Sequence, residues 1–496
     1  MNITIPEQVF EVLFALRQAG FSAYFVGGCV RDFIMHREPD DYDVSTDARP
    51  EQVKELFSGH TADTGLKHGT VTVLSDHFTV EVTTYRVEGA YTDFRHPDSV
   101  IFTDRIEDDL ARRDFTINAI AYSPYAAGTR LNGRVDGASD GFTDLRAASD
   151  DDHAGFVDPY GGIADIRAGL IRAVGNPEKK FAEDALRIMR CLRFSSVLGF
   201  ETEKNTAKCC HEMRSSLSSV SRERIAAELI KTLCGDNVMS VLGEYPDVMA
   251  EIIPQIRPVI GFEQKNTHHC SDVYGRTIRA AASVRNDGYM RLAALLHNIG
   301  KPHCFTFGEA VNGRFCGHDA ISARIAGEVC DSLKLDSDTR RRVVRLTENC
   351  GLMTEPTRIS VRRALNRLGR DVFFDLLDLK RADNKAQSPE LLYRQRDLDV
   401  LEKIALDLIA EDACFSLKTL AVDGRDVIAA GIAPGPEVGA ILRALLDDVI
   451  EDRCVNEKEA LLGRIDVAAD KIRESNRDEQ GIASENRLQS RIRMIE

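Results

Sequence analysis

Two aspartates, Asp41 and Asp43, stand two residues apart at the entrance to an apolar run, in Asp40-Asp41-Tyr42-Asp43. On a β-strand, residues two apart project to the same face, so both carboxylates would aim at one point. Adjacent carboxylates repel unless a cation sits between them, which makes such a pair a good Mg²⁺ site. Just upstream, Val26-Gly27-Gly28-Cys29-Val30-Arg31-Asp32 reads as a strand ending in a glycine pair and then a helix. Glycines such as Gly28 let the backbone approach a triphosphate closely, and a helix N-terminus offers N–H donors to it. Arg31 adds a fork of donors for phosphate or sugar. Alone, a Gly-Gly pair is usually a turn and an Asp-x-Asp triplet usually an exposed acidic bend; following one another closely, they point to nucleotide chemistry. Glu81 lies within the apolar run Phe78–Tyr85, where a lone charge is costly unless matched, and is a candidate third catalytic carboxylate. Further on, Glu183-Asp184-Ala185-Leu186-Arg187 places Asp184 and Arg187 at i,i+3, neighbours on one helical face. Such a pair is ordinarily a surface salt bridge.

These groups need a scaffold, and the first 175 or so residues are rich in β-branched runs. Ala23–Val26, Tyr42–Val44, Val71–Leu74 and Phe78–Tyr85 predict strands, and Pro50–Phe57 predicts a helix, together a mixed sheet with helices. The N-terminus predicts an amphipathic helix rather than a signal peptide, because Glu7 and Glu11 interrupt its apolar stretch and no basic leader precedes it. From about Asn176 the periodicity turns helical, over Phe181–Leu198, Arg222–Leu233, Tyr289–Leu296, Ala320–Leu333 and Val438–Leu446. Residues 125–157 combine glycines with Asp150, Asp151 and Asp152 and predict a surface loop or insertion. The charged stretch from Ile472 predicts a solvated or fraying end.

The 496 residues suggest about three domains, and 43% hydrophobic content describes a globular, soluble chain. No apolar run reaches the roughly 20 residues that a membrane span needs. Twelve cysteines without a Cys-x-x-Cys motif indicate reduced thiols and a cytoplasmic location rather than a zinc or disulfide framework. The net charge of −15 gives a nucleic-acid partner no support, so any such contact must use local patches. The best candidate is the late cluster Arg340, Arg341, Arg342, Arg345, Arg358, Arg362, Arg363, Arg367 and Arg370, which could equally be the solvated faces of helices.

The stretch YFVGGCVRDFIMHREPDDYDVSTDARPE resembles the head of class II tRNA nucleotidyltransferases and their bacterial poly(A) polymerase relatives, within the DNA polymerase β superfamily. The likeness continues through TGLKHGTVTVL, VEVTTYR, YTDFRHPDSVIF, DDLARRDFTINAIAY, VDPYGG and KKFAEDALRIMRCLRF, in order and at similar spacing. It implies that Asp41 and Asp43 hold metal ions that activate an RNA 3′-hydroxyl and clamp the nucleotide α-phosphate, with release of pyrophosphate. It implies further that Arg113 contacts the nucleotide, that Asp114 and Asn118 orient the backbone around it, and that Arg190 and Arg193 are further nucleotide arginines. Asp184 and Arg187 become a protein template for the incoming base. Cytosine and adenine both present an amino donor beside a ring-nitrogen acceptor, which a carboxylate and a guanidinium complement. Ala185 replaces the usual family proline. The segment from Glu88 to Asp109 corresponds to one that enzymes adding the terminal A possess, which favours full CCA addition.

Residues 261–384 resemble an HD-type body through THHCSDVYGRT, LAALLHNIGKP, GHDAISARIA and KRADNKA. Here Arg276 stands at the first histidine position and Asn298 replaces the aspartate beside His297, while Asp383 survives. An arginine repels a cation and an amide is a poor ligand, so this module is expected to keep its fold without phosphohydrolase activity, with His268, His269, His297 and His318 structural. LAVDGRDVIAAGIAPGPEVGAIL, residues 420–442, resembles the family's C-terminal tRNA-recognition region. The expected fold is α+β: a polymerase-β-like head with a mixed sheet over 1–177 (insertion 125–157), a helical neck with the base-reading helix over 178–255, a degenerate HD-like body over 256–390 and a helical tail over 391–496. The expected function is addition or repair of the tRNA 3′-terminal CCA from CTP and ATP with Mg²⁺. Alternatives are A-only addition, poly(A) synthesis, an HD phosphohydrolase or a non-catalytic RNA-binding protein.

Overall fold

The computed structural model describes residues 2–65, 69–74, 78–89, 99–124, 142–146, 155–263, 272–304, 306–307, 313–315, 317–387, 390 and 392–473. The chain divides into two compact units: Met1–Phe262 with Asn286–Leu292 and Gly327–Arg340, and Glu263–Arg285 with Ala293–Ala326 and Arg341–Glu496.

The first unit opens with β1 (Asn2–Pro6) and α1 (Glu7–Gln18), so the expected N-terminal helix is preceded by a strand. Then come β2 (Ala23–Val26), α2 (Gly28–Ile34), β3 (Tyr42–Thr46), α3 (Pro50–Leu56), β4 (Thr61–Gly65), β5 (Thr70–Leu74) and β6 (Thr79–Thr84). β7 (Arg86–Glu88), β8 (Val100–Phe102), α4 (Ile106–Ala111), β9 (Ala121–Tyr122), β10 (Phe142–Arg146) and β11 (Phe156–Val157) follow. A seven-stranded sheet runs β11-β9-β2-β3-β6-β5-β4. It is mixed, because β3 pairs parallel with β6 while β2 pairs antiparallel with both β3 and β9. The pleat buries Phe25, Val44, Val71, Val80 and Val82 on its inner face, and α1 contributes Val9, Leu13 and Leu16 to the same unit's core.

Two expectations change here. Within 125–157, β10 pairs antiparallel with β1, Asn2 opposite Arg146 and Pro6 opposite Phe142, so that part is strand rather than loop. The neighbouring 125–141 and 147–154 lie outside the described residues. The second change is at the segment expected to read the base: instead of one helix over Phe181–Leu198 there are two. These follow α5 (Gly162–Ala168) and are α6 (Pro177–Glu183) and α7 (Leu186–Leu198). Between them Asp184 takes extended backbone angles, φ −142 and ψ 105. Then α8 (Lys204–Glu212) leads to α9 (Arg222–Leu233), which spans the residues expected of it.

The second unit is helical, with Val273–Ser283, Arg358–Leu368, Arg370–Lys385, Arg394–Ala410 and Pro436–Ile450 among its elements. Pro436 enters the last of these at its first turn, where its missing N–H costs nothing. The late arginine cluster is not a free basic patch. Arg340 pairs with Asp331, Arg358 with Glu411, Arg362 with Asp452 and Arg363 with Glu451, so much of its charge is compensated within the protein. Among the described residues no helix is long and apolar enough to cross a membrane. The end beyond Arg473 lies outside them.

Candidate active site

β3 and β6 run parallel with Asp43 opposite Glu81, so period-two geometry sends both side chains to one face of the sheet. Asp41 precedes β3 by one residue and is exposed, whereas Asp43 is half-buried. Burial first, then Glu81 and Asp41, push the Asp43 carboxyl up to about 6, although Arg113 pulls it down. A carboxylate raised by neighbouring like charge is a group that a cation would restore to its ionised form. Still, no three His, Cys, Asp or Glu side chains among the described residues are arranged to hold a metal ion by themselves. Glu81 lies opposite Asp43, and an open arrangement of carboxylates suits Mg²⁺, which takes one or two of them and completes its shell from phosphates and water.

Above the carboxylates, the glycine that matters most is Gly27. Its φ of 75 is in the left-handed region, and a Cβ there would lie 2.7 Å from Arg113 Nη1. At Gly28 a Cβ would meet only Arg31 Nη2, at 3.7 Å. Arg113 donates from Nη1 to the Asn118 carbonyl at 3.4 Å and from Nη2 to Asp109 at 3.5 Å, while its buried Nε has no hydrogen-bond partner among the described residues. Asp109 is itself fully buried; burial pushes its carboxyl up, but Arg112 and Arg113 outweigh that and hold it below the usual range. Arg31 grips Asp32 with Nε and Nη2 and donates from Nη1 to the Asn118 side chain at 3.0 Å.

The helix break sets the other wall. Asp184 Oδ1 accepts from the Leu186 backbone N–H at 3.0 Å, capping α7, and Oδ2 accepts from Arg224 Nη2 at 2.7 Å. Asp184 and Arg187 are therefore not helical i,i+3 partners. Arg187 is buried and donates to the carbonyls of Lys180 at 2.9 Å and Arg112 at 3.1 Å, and to Glu183. Asp114 accepts from Phe115 N at 2.8 Å and from Arg190 Nε at 2.7 Å. Burial would raise Asp114, but Arg190 and Arg187 outweigh it and bring it down to about 2. Glu228, one turn after Arg224 on α9, holds Arg193 at 3.2 Å and lies 3.9 Å from Arg190.

All ten residues singled out from the sequence (Asp41, Asp43, Glu81, Gly28, Arg31, Arg113, Asp184, Arg187, Arg190 and Arg193) line one cavity of about 960 Å³. Arg224 and Phe194 line it too and escaped the sequence reading, as did Glu228 behind them. A charged helix face carries no periodic signal that separates a solvated residue from one facing an active site. The segment Glu88 to Asp109 is not all loop: it begins at the end of β7, includes β8, which pairs antiparallel with β7 (Glu88 opposite Val100), and ends within α4. Glu88 receives Arg86 at 2.9 Å and Arg112 at 3.3 Å; residues 90–98, like His68, lie outside the described residues.

In the second unit, Asp383 is the centre of a different cluster. It accepts from Arg276 Nε at 2.8 Å and Nη2 at 2.5 Å and from Gln387 at 3.1 Å, and His297 Nε2 lies 3.1 Å away. Burial raises the Asp383 carboxyl, but Arg276 and His297 outweigh it and hold it well below the carboxylate range. Lys301 is pushed down to about 7 by burial and by Arg276. His297 and His318 each turn Nδ1 to a backbone carbonyl, those of Ala294 and Phe315, at 2.7 and 2.9 Å. His268 and His269 lie outside the described residues.

Comparison with known proteins bears on the whole chain. Residues 23–172 match the poly A polymerase head domain, residues 199–243 the probable RNA- and SrmB-binding site of polymerase A, and residues 318–465 tRNA nucleotidyltransferase domain 2. A CCA-adding enzyme of Lactobacillus delbrueckii subsp. bulgaricus is 31% identical over 467 residues, covering 93% of this chain and 98% of that protein. One from Leuconostoc mesenteroides is 42% identical over 246 residues, 49% of this chain and 54% of that protein. Among solved structures, the Bacillus stearothermophilus CCA-adding enzyme in complex with CTP is 27% identical with a TM-score of 0.68, covering 95% of this chain and 98% of that one.

Proposed function

The chain belongs to the CCA-adding enzyme family, and from that membership we infer that it is a tRNA nucleotidyltransferase, adding or repairing the 3′-terminal CCA from CTP and ATP with release of pyrophosphate. The observation that carries this reading is the single cavity lined by the Asp41/Asp43 pair, Glu81 and the Asp184/Arg187 pair. It puts a phosphate-handling end and a base-reading end in one space.

We assign Mg²⁺ to Asp41 and Asp43, with Glu81 as their neighbour. The fit rests on Asp43, whose carboxyl is lifted to about 6 by burial and by Glu81 and Asp41. Bound there, the ion would neutralise charge at the α-phosphate and favour ionisation of the attacking hydroxyl, and two ions could serve both reacting oxygens. The protein's own share is positioning. Gly27 leaves room for Arg113, whose guanidinium group lines the cavity and can offer donors to the nucleotide. Arg31, Arg190 and Arg193 supply further donors along the same wall.

For the base, Asp184 accepts the exocyclic amino group of cytosine or adenine, and Arg187 donates to the adjacent ring nitrogen. Three of a guanidinium's five N–H donors are used by Lys180, Glu183 and Arg112, which fixes the ring-nitrogen donors without exhausting them. Uracil and guanine would leave buried groups unpaired, at a cost of about 1–3 kcal/mol each. The described cysteines are free thiols, in keeping with a cytoplasmic site of action. The Asp383 cluster we read as a structural replacement for a metal centre, without hydrolase activity.

The test is incubation with tRNA ending at its discriminator base, each nucleoside triphosphate singly and together, and sequencing of the products. CCA alone, with no product from UTP or GTP, is the expected result. Long A tails or strict A addition would replace this reading with poly(A) synthesis or A-only addition.

A further inference from the structure

Phe194 has no place in the account so far. It sits in α7, is 6% exposed, and lines the nucleotide cavity. Three guanidinium groups surround its ring: Arg193 with Cζ 4.3 Å from the centroid, Arg190 at 5.2 Å and Arg31 at 5.5 Å. Two come from α7 itself and the third from α2, across the cavity wall. The ring is held by an edge-to-face contact with Phe115, centroids 5.8 Å apart at 81°.

Three like charges around one point repel, and Arg193 shows it: burial first, then Arg190 and Arg31 among others, lower its proton affinity despite Glu228. Carboxylates compensate part of this, Asp32 at Arg31, Asp114 at Arg190 and Glu228 at Arg193. A carboxylate, however, takes up N–H donors in holding a guanidinium. An aromatic face attracts the same cation through its quadrupole and leaves the N–H edge open. That difference matters where the N–H groups must serve a ligand.

We propose that Phe194 is a positioning residue for nucleotide binding, a π platform that orients the guanidinium groups of Arg31, Arg190 and Arg193 while leaving N–H donors for the oxygens of the incoming nucleoside triphosphate. It rests on the reading of those arginines as nucleotide contacts. The ring touches no reacting atom; it acts through the arginines.

The experiment replaces Phe194 with 3,4,5-trifluorophenylalanine, which keeps the ring's shape and weakens its negative face, and separately makes Phe194→Tyr, Phe194→Leu and Arg193→Met. Steady-state kinetics are read with CTP and ATP on tRNA lacking its end, alongside thermal melting. The fluorinated ring and Phe194→Leu are expected to raise KM for both nucleotides about tenfold with a smaller change in kcat, each cation–π contact being worth on the order of 1 kcal/mol. Phe194→Tyr should restore KM. An unchanged KM with the fluorinated ring, in a protein that melts normally, overturns the π platform. If Arg193→Met leaves KM unchanged as well, it is the reading of the arginines that fails. If Arg193→Met raises KM and the fluorinated ring does not, only the role of Phe194 fails.

Discussion

Asp43 and Asp383 are both half-buried aspartates amid strong charge, and the protein treats them in opposite ways. Around Asp43, burial first and then the carboxylates Glu81 and Asp41 lift its carboxyl to about 6, against the pull of Arg113. Around Asp383 a guanidinium, an imidazole and an amide converge, and the carboxyl falls well below its ordinary value. The first arrangement holds an electrostatic imbalance that a cation from outside can relieve. In the second the cation is built into the chain as Arg276. Where a fold keeps its negative charge unbalanced, it has kept a task for a ligand; where it balances the charge internally, it has made a structural joint.

The two sites should therefore respond oppositely to the same change, Asp→Asn. The largest effect is on turnover. Asp43→Asn should lower nucleotide addition by about a thousandfold or more, as expected when the main electrostatic contact to the reacting centre goes; a rate within tenfold of wild type would remove Asp43 from the mechanism. Next in size is Asp383→Asn, which leaves the buried Arg276 guanidinium without its carboxylate. Breaking such a pair costs about 3 kcal/mol, measured by urea unfolding, while activity per folded molecule stays as it was. Loss of activity with no loss of stability would show that the second site has a chemical role. The smallest effect concerns stability at the first site. Because the folded-state Asp43 value lies above the ordinary 3.8, the folded protein binds the proton more tightly than the unfolded chain. Its ionisation thus destabilises the fold as pH rises from about 4 through 6, with the full penalty above that range. Asp43→Asn should stabilise the metal-free protein by about 1–2 kcal/mol at pH 7.5, with the gain vanishing below pH 4. Melting curves across that range check it, and a variant less stable than wild type at pH 7.5 would contradict the like-charge account.

What could be read in advance follows from the range over which each signal acts. Asp41, Asp43 and Glu81 were legible because strand periodicity is local and a charge in an apolar run is conspicuous. The register that sets Asp43 beside Glu81 needed the fold. The break at Asp184 was not legible: Ala185 stands where a proline would have announced it, and every neighbouring residue is compatible with helix. Arg224 and Glu228 read as an ordinary charged helix face, and only the packing of α9 beside α7 turns them toward the site. The late arginines misled for the converse reason. Their partners Glu411, Glu451 and Asp452 lie far away in sequence, so a run that is basic on paper is compensated in space.

The division of the chain bears on how the site is made during synthesis. α9 holds Asp184, Arg190 and Arg193 through Arg224 and Glu228, and the carbonyls of Leu233 at its end and Gly235 just beyond accept from the buried Arg291 at 2.5 and 2.8 Å. Lys334 reaches back to Glu223 in that helix's first turn at 2.6 Å. The unit that carries the cavity is thus completed by Asn286–Leu292 and Gly327–Arg340. A ribosome must deliver roughly two thirds of the chain before the packing behind α9 is complete, which at about 5–20 residues per second takes tens of seconds. A nascent chain that has reached only the end of α9 would hold the residues that line the cavity and yet lack the brace behind them.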